Sequence, residues 1–197
     1  MIIYILLAVL FAKKRGYRIK PMLKDYSLYP LFVAEIAYLC LQISVFAGNH
    51  RFIPYAGTFK TIYLYTLIIP IIVHKLYKTG IYGSIMITIG SMLNRFVMSQ
   101  NGGKMPVYAT LSRYTGYFDE VTINTVDKVH ILGNEATKYK ILTDYIDVGY
   151  SILSIGDILI HAFIFVVVYN AIKETSNKSN QSSIETRRGD NKWKILE

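Results

Sequence analysis

Residues 87–107, ITIGSMLNRFVMSQNGGKMPV, decide how the chain is read. They open as an apolar helix, carry Asn94 and Arg95 near its end, and break at Asn101-Gly102-Gly103 before leaving through Lys104-Met105-Pro106. Adjacent glycines reach backbone conformations closed to other residues, and proline cannot continue a helix, so the stop is sharp. A guanidinium at the edge of a long apolar run is costly unless something pairs with it. The stretch therefore marks both the end of a membrane span and a candidate site.

Working outward from it, four apolar runs (residues 31–47, 59–73, 81–98 and 152–171) approach or reach the roughly 20 residues that a spanning helix needs. A fifth, residues 1–12, rises only about 18 Å and must borrow from snorkelling Lys13 and Lys14 or thin the bilayer. It lacks the features of a removed signal peptide. With 52% hydrophobic residues so distributed, the expected class is all-α integral membrane, with five transmembrane helices, the first one short.

The formal charge of +9 suggests nucleic acid only until its location is considered. Lys13, Lys14, Arg15, Arg18, Lys20 and Lys24 fill the first loop, Lys75 and Lys78 a later one, and six more basic residues follow Ala171. The intervening loops carry fewer bases or balance them with acids, which is the positive-inside pattern. It places the N-terminus outside and the C-terminus in the cytoplasm. The basic cytoplasmic loops also suit anionic headgroups of the lipid bilayer. No recognition motif accompanies the charge, so nucleic acid is not an expected partner. Cys40 is the only cysteine and reads as a packing residue. No Cys/His spacing suggests a metal, and no cofactor is expected.

The domain reading is a membrane domain over residues 1–171 and a disordered cytoplasmic tail over residues 172–197, which is Ser/Asn-rich and charged. Residues 99–151 form a long extracytoplasmic loop between the fourth and fifth spans, with six acids against five bases. Loops of that length are usually functional or mobile. Within it, residues 121–126 read as a short strand and residues 134–142 as a short helix or turn.

Four helices show a polar stripe at helical spacing: Glu35, Tyr38 and Gln42; Tyr63, Thr66, Pro70 and His74; Ser84, Thr88, Ser91 and Arg95; Ser154, Asp157 and His161. Pro70 should kink the third helix, and Gly83 and Gly90 should let the fourth approach a neighbour closely. Lipid offers polar stripes no partners, so they should face one another. Matching depths pairs Arg95 with Asp157 near the outer surface and Glu35 with His74 near the inner one. His161 reads as a hydrogen-bonded packing residue. Asn94, Arg95 and Asp157, capped by the turn from Asn101 through Pro106, would then make an outward-facing polar pocket. A structural ion pair that fixes helix order is the competing account.

At Asn101-Gly-Gly-Lys-Met-Pro-Val107 and Ser154-Ile-Gly-Asp157 the chain resembles an uncharacterised, domain-of-unknown-function family of small bacterial multi-pass membrane proteins, almost end to end. His130-Ile-Leu and Thr143-Asp144-Tyr-Ile resemble it too. The resemblance implies the same architecture and the bacterial plasma membrane, and brings no activity with it. A fainter similarity is to lipoprotein signal peptidases, in the Gly90-Ser-Met-Leu-Asn94 spacing and in Asp157. Val97, however, stands where their first catalytic aspartate would be. One carboxylate cannot run aspartyl-dyad chemistry, so that mechanism needs Asp144 or Asp147 beside Asp157.

The leading expectation is a non-enzymatic membrane protein whose outer pocket and loop bind an extracytoplasmic ligand or protein partner. A membrane aspartyl peptidase is the enzymatic alternative. A small transporter or channel subunit is the third, and it would need a polar path joining the Glu35/His74 region to Asp157.

Overall fold

Apolar helices and a polar loop layer separate along the chain, and they separate in space as well. The computed structural model describes residues 1–193 apart from 126 and 128. Helix α1 (Ile2–Lys14) leads through 3-10 turns at Lys20–Lys24 and Tyr26–Leu28 into α2 (Tyr29–Phe46). The next rod is broken into α3 (Ala56–Thr66) and α4 (Ile68–Val73), and α5 (Tyr77–Gln100) follows. Pro70 is the cause of the break: it offers no N–H to the Thr66 carbonyl, and the helix interrupts at Leu67. The last helix is α8 (Ile155–Trp193).

Four segments are long and apolar enough to cross a membrane: Tyr26–Phe46, Ile53–Val73, Tyr77–Gln100 and Ile155–Ser183. Helix α1, at 13 residues, falls short of that length. It runs parallel to α8, with Tyr4 against His161 (5.4 Å between ring centroids), Phe11 against Phe165 and Tyr169, and Tyr17 against Tyr169. Among the described residues four segments of the expected five thus have the length and composition to cross, and the short first helix packs alongside the last.

A second difference concerns the tail. Helix α8 does not stop near Ala171 but continues to Trp193, where a disordered segment was expected. Ile172 and Ser176 are buried, and the Ser176 hydroxyl accepts the Arg18 N–H at 2.9 Å. The first basic loop docks on this extension, and the polar composition concealed that.

Helices α5 and α8 pack antiparallel and closely. A Cβ on Gly83 would strike the Phe163 ring, and one on Gly156 would lie 2.5 Å from the Gly90 carbonyl oxygen. The face that α5 turns to its neighbour is therefore Gly83, Gly90, Asn94 and Val97. The expected polar stripe points elsewhere, since Ser84, Thr88 and Arg95 are exposed. Where two helices approach this closely, small residues fix the contact face.

Over one end of the bundle lies the polar layer. Strand β1 (Met105–Val107) pairs in parallel with β2 (His130–Leu132), and Val107 bridges Asp144 on its other flank. The crossover carries α6 (Leu111–Thr115) and α7 (Glu120–Thr125). Helix α7 replaces the strand expected at residues 121–126, the last of which lies outside the described residues. Its β-branched residues favour a strand locally, but Glu120 in the first turn suits a helix N-terminus and Ile123 is buried. Residues 134–142 form a turn and a 3-10 helix at Lys140–Leu142, within the helix-or-turn expectation. A short hairpin, β3 (Ile146–Asp147) with β4 (Ile152–Leu153), leads into α8.

Candidate ligand-binding cleft

The Asn-Gly-Gly turn is the hinge on which the layer is hung. Gly102 (φ 68°) and Gly103 (φ 80°) both adopt the left-handed conformation that glycine reaches without strain. The Asn101 amide donates to the Val97 carbonyl (2.9 Å) and the Lys138 carbonyl (3.1 Å), and its oxygen accepts the Lys138 N–H (3.0 Å). Asn101 thus closes α5 and clasps the 134–142 segment. Pro106 is fully buried, and its carbonyl accepts the Asp144 N–H. Lys104 is exposed. Of the turn residues, Met105 reaches a cavity wall.

Ser154-Ile-Gly-Asp157 starts α8. The Ser154 hydroxyl accepts the Asp157 N–H (2.9 Å), the capping contact expected of serine three residues before an acid. The same hydroxyl donates to the Asn94 carbonyl oxygen (2.8 Å), and the Asn94 amide donates to Asp157 Oδ1 (3.0 Å). Close approach at Gly90 and Gly156 makes this three-residue seam possible.

Asn94, not its neighbour Arg95, is therefore the partner of Asp157. Among the described residues no ion pair joins Arg95 to Asp157. One residue along a helix is a rotation of about 100°, and Asn94 occupies the α8-facing position. The pairing of Glu35 with His74 is absent as well. His74 bonds Asp25 (Nε2 to Oδ2, 2.6 Å) and lies 3.2 Å from the Ser27 hydroxyl, at the opposite end of the bundle from the polar layer. Glu35 is buried on α2 and lies 3.9 Å from the Met1 ammonium. On three helices the residues between these polar groups are apolar and fully buried: Leu28 and Leu31, Leu67, and Ile164, Val167 and Val168. His161 is buried against Tyr4.

Between the layer and helices α2, α3 and α8 lies a cleft of two lobes, about 160 Å³ and about 290 Å³. Both lobes are walled by Lys60, Asp127, His130, Asp144 and Asp157. Tyr38, Leu41, Val45, Phe118 and Ile123 give the smaller lobe an apolar side. Asn94, Met98 and Met105 line the larger. Strand β1 sets the chemistry, because it holds His130 on one flank and Asp144 on the other. His130 Nδ1 lies 2.7 Å from Asp127 Oδ2, and Nε2 lies 3.3 Å from Asp144 Oδ2. Lys60 stands within charge–charge reach of Asp157 and Asp144.

The carboxylates are not equivalent. Burial works against ionising Asp127, but the bond and charge of His130 and the N–H groups of Val129 and His130 outweigh it and hold the carboxyl at about 2. Burial likewise opposes the His130 cation, yet its two carboxylate partners raise it to about 9. For Asp144, burial and the negative charge of Asp157 prevail over His130 and Lys60, and its proton is held above the usual range. Asp144 is 4% exposed, and among the described residues its Oδ1 has no hydrogen-bond partner. Asp147, the other acid that an aspartyl dyad with Asp157 would call on, instead accepts the N–H groups of Thr110, Ser112 and Gly149 and the Ser112 hydroxyl. Against the effect of burial, those bonds hold its carboxyl low. It caps α6.

Sequence reasoning passed over Lys60 and His130 as site residues. Lys60 is a lone charge within an apolar run, the same signal that drew attention to Arg95. His130 and Asp144 lie in stretches noted for family resemblance, but only the pairing around β1 brings them together.

Over 96 residues the chain is 31% identical to an uncharacterized protein of Thermotoga maritima, a match covering 46% of this chain and 53% of the other. The chain thus matches about half the length of that curated relative. No solved structure matches it. The model of a family of unknown function, DUF5317, matches residues 20–169, and with the greater part of its length so covered the chain belongs to that family.

Proposed function

We propose that this protein is a multi-pass protein of the bacterial plasma membrane that binds an extracytoplasmic ligand in the cleft between the polar layer and helices α2, α3 and α8. The basic loop at residues 13–24 lies on the cytoplasmic side against anionic headgroups, and the layer lies outside, as charge bias requires. The reading moves the pocket away from Arg95 and the 101–106 turn, toward Lys60, His130, Asp144 and Asp157 with Asn94. The observation that carries it is the Asp144 carboxylate: buried, lining both lobes, with one oxygen unbonded. Buried polar atoms are nearly always bonded; Glu35, Tyr63 and His74 also carry unbonded atoms among the described residues, but of the two carboxylates in that set it is Asp144 that lines the cleft.

A fragment screen by ligand-observed NMR on the protein in nanodiscs tests this. Hits should be lost in Lys60→Met or Asp144→Asn and retained in Arg95→Gln. A screen without saturable hits, or with hits indifferent to the cleft variants, removes the reading.

Two carboxylates, Asp144 and Asp157, line the same cleft, and that favours a second reading as a membrane aspartyl peptidase. It predicts cleavage of a fluorogenic lipoprotein-signal peptide, abolished by either Asp→Asn variant. Turnover that survives one of them excludes a dyad. A transport path through one chain is disfavoured by the fully buried apolar residues between the Asp157 and His74 regions.

A further inference from the structure

A buried oxygen in the cleft wall is left without a donor among the described residues, and it says what kind of ligand suits the cleft. Among those residues, Lys60 and His130 stand with Asp127, Asp144 and Asp157 in the walls of both lobes. Asp127 is matched by the imidazole at 2.7 Å, and Asp157 by the Asn94 amide and the nearby Lys60. Asp144 has only a long contact to His130 through Oδ2, and Oδ1 faces no donor. A carboxyl in that position satisfies itself with a proton or with a donor brought in from outside.

The shape adds a second requirement. The smaller lobe, about 160 Å³, is bounded on one side by Leu41, Val45, Phe118 and Ile123. An apolar cavity of about 150 Å³ admits benzene. The lobe is therefore the right size for one ring or a short branched chain, and too small for a lipid tail. Tyr38 and Tyr117 also line it, so aromatic faces are at hand for a cation. Among the described residues no group of three His, Cys, Asp or Glu side chains is arranged to hold a metal ion.

We propose that the cleft takes an organic ammonium with a compact apolar tail, the tail in the smaller lobe and the N–H donors on Asp144 Oδ1. The inference rests on the cleft being the ligand site, as argued above. It carries a proton linkage. Asp144 faces His130 from β2, Lys60 from α3 and Asp157 from α8, with Asp127 behind the imidazole and His50, Tyr38 and Tyr117 elsewhere in the wall. Cation and proton compete for the same Asp144 carboxyl, whose affinity for the proton burial and Asp157 raise, so binding strengthens as pH rises while the amine stays charged.

The experiment uses the full chain in neutral phosphatidylcholine nanodiscs, with empty discs as control. Three probes matched in shape are compared by saturation-transfer NMR: 2-phenylethylammonium, 2-phenylethanol and 3-phenylpropionate. Only the ammonium should bind saturably, more tightly at pH 8 than at pH 5, and Asp144→Asn should weaken it by about tenfold or more and remove the pH dependence. Phenylpropionate binding as well as the ammonium overturns the cation and leaves the cleft standing. Silence from all three probes, alongside cleft-dependent hits in the fragment screen, overturns the ammonium class alone. Silence in both overturns the cleft. Should Asp144→Asn fail to fold, the three probes and two pH values in the unaltered protein still decide.

Discussion

The seam between α5 and α8 and the cleft beside it share Asp157 but treat their polar atoms in opposite ways. In the seam, the Ser154 hydroxyl both donates and accepts, and the Asn94 amide bonds Ser154 and Asp157 with its two ends. In the wall of the cleft, Asp144 is buried too, yet among the described residues it keeps an oxygen unbonded. Polar groups that position helices are bonded within the fold. Groups that await a partner are left open, at a cost to stability. Completeness of hydrogen bonding separates this seam from this cleft, although Glu35, outside both, is left open too.

If that contrast is right, the seam should tolerate change worst. A Cβ on Gly156 would lie 2.1 Å from the Asn94 oxygen and 2.5 Å from the Gly90 carbonyl, and backbone cannot swing aside as a flexible side chain does. Gly156→Ala should cost about 2–3 kcal/mol or prevent folding, by the usual scale for overpacking. Denaturant unfolding in mixed micelles measures it, and a loss below 1 kcal/mol would show that the helices sit farther apart. Ser154→Ala should come next, at about 1–2 kcal/mol, because it removes the α8 cap and a partner of Asn94 together.

The polar layer carries a dependence on pH. His130 is raised from 6.5 to about 9, so its contribution is complete below pH 6.5 and fades as pH climbs through 9. Asp127 is lowered from 3.8 to about 2, so its contribution is present above 3.8 and fades as pH falls through 2. Asp144 is raised, so its contribution is complete below the ordinary carboxylate value of 3.8 and is lost as pH rises from there through its folded value. Amide exchange in residues 129–132 should therefore be slowest between about pH 4 and 6.5, after correction for the intrinsic rate, and quicken toward pH 9. Asp144→Asn should weaken ligand binding yet leave stability unchanged or slightly raised, since it removes a buried carboxyl with an unbonded oxygen. A loss above about 1 kcal/mol would place Asp144 among the structural groups.

Hydropathy and punctuation made much of this fold legible. Run length located the four long helices, Pro70 announced the break at Leu67, and Asn101-Gly102-Gly103 announced the end of α5. Gly83 and Gly90 were legible as close-approach positions. What failed was the choice of partner. Glu35 is buried on the expected face of α2, but periodicity says nothing about which helix comes to meet it. His74 went to Asp25, a residue of the basic loop rather than of any helix. The cleft was the least legible feature, because His130 and Asp144 converge only through the two flanks of β1.

Arg95 gives the sharpest test of how such signals should be weighed. By composition it is the most costly residue in its helix, and by position it neighbours the seam. The structure leaves it exposed on α5, turned away from the glycine face. A long side chain so placed extends its guanidinium toward the headgroups and needs no carboxylate. Arg95→Gln should therefore change stability by less than about 0.5 kcal/mol and leave fragment binding intact. Asn94→Leu, one position along, should lose both, because it strips Asp157 and Ser154 of a shared partner. If the two variants behaved alike, helix α5 would have to be rotated from the orientation described, and Arg95 would again be a candidate for the cleft.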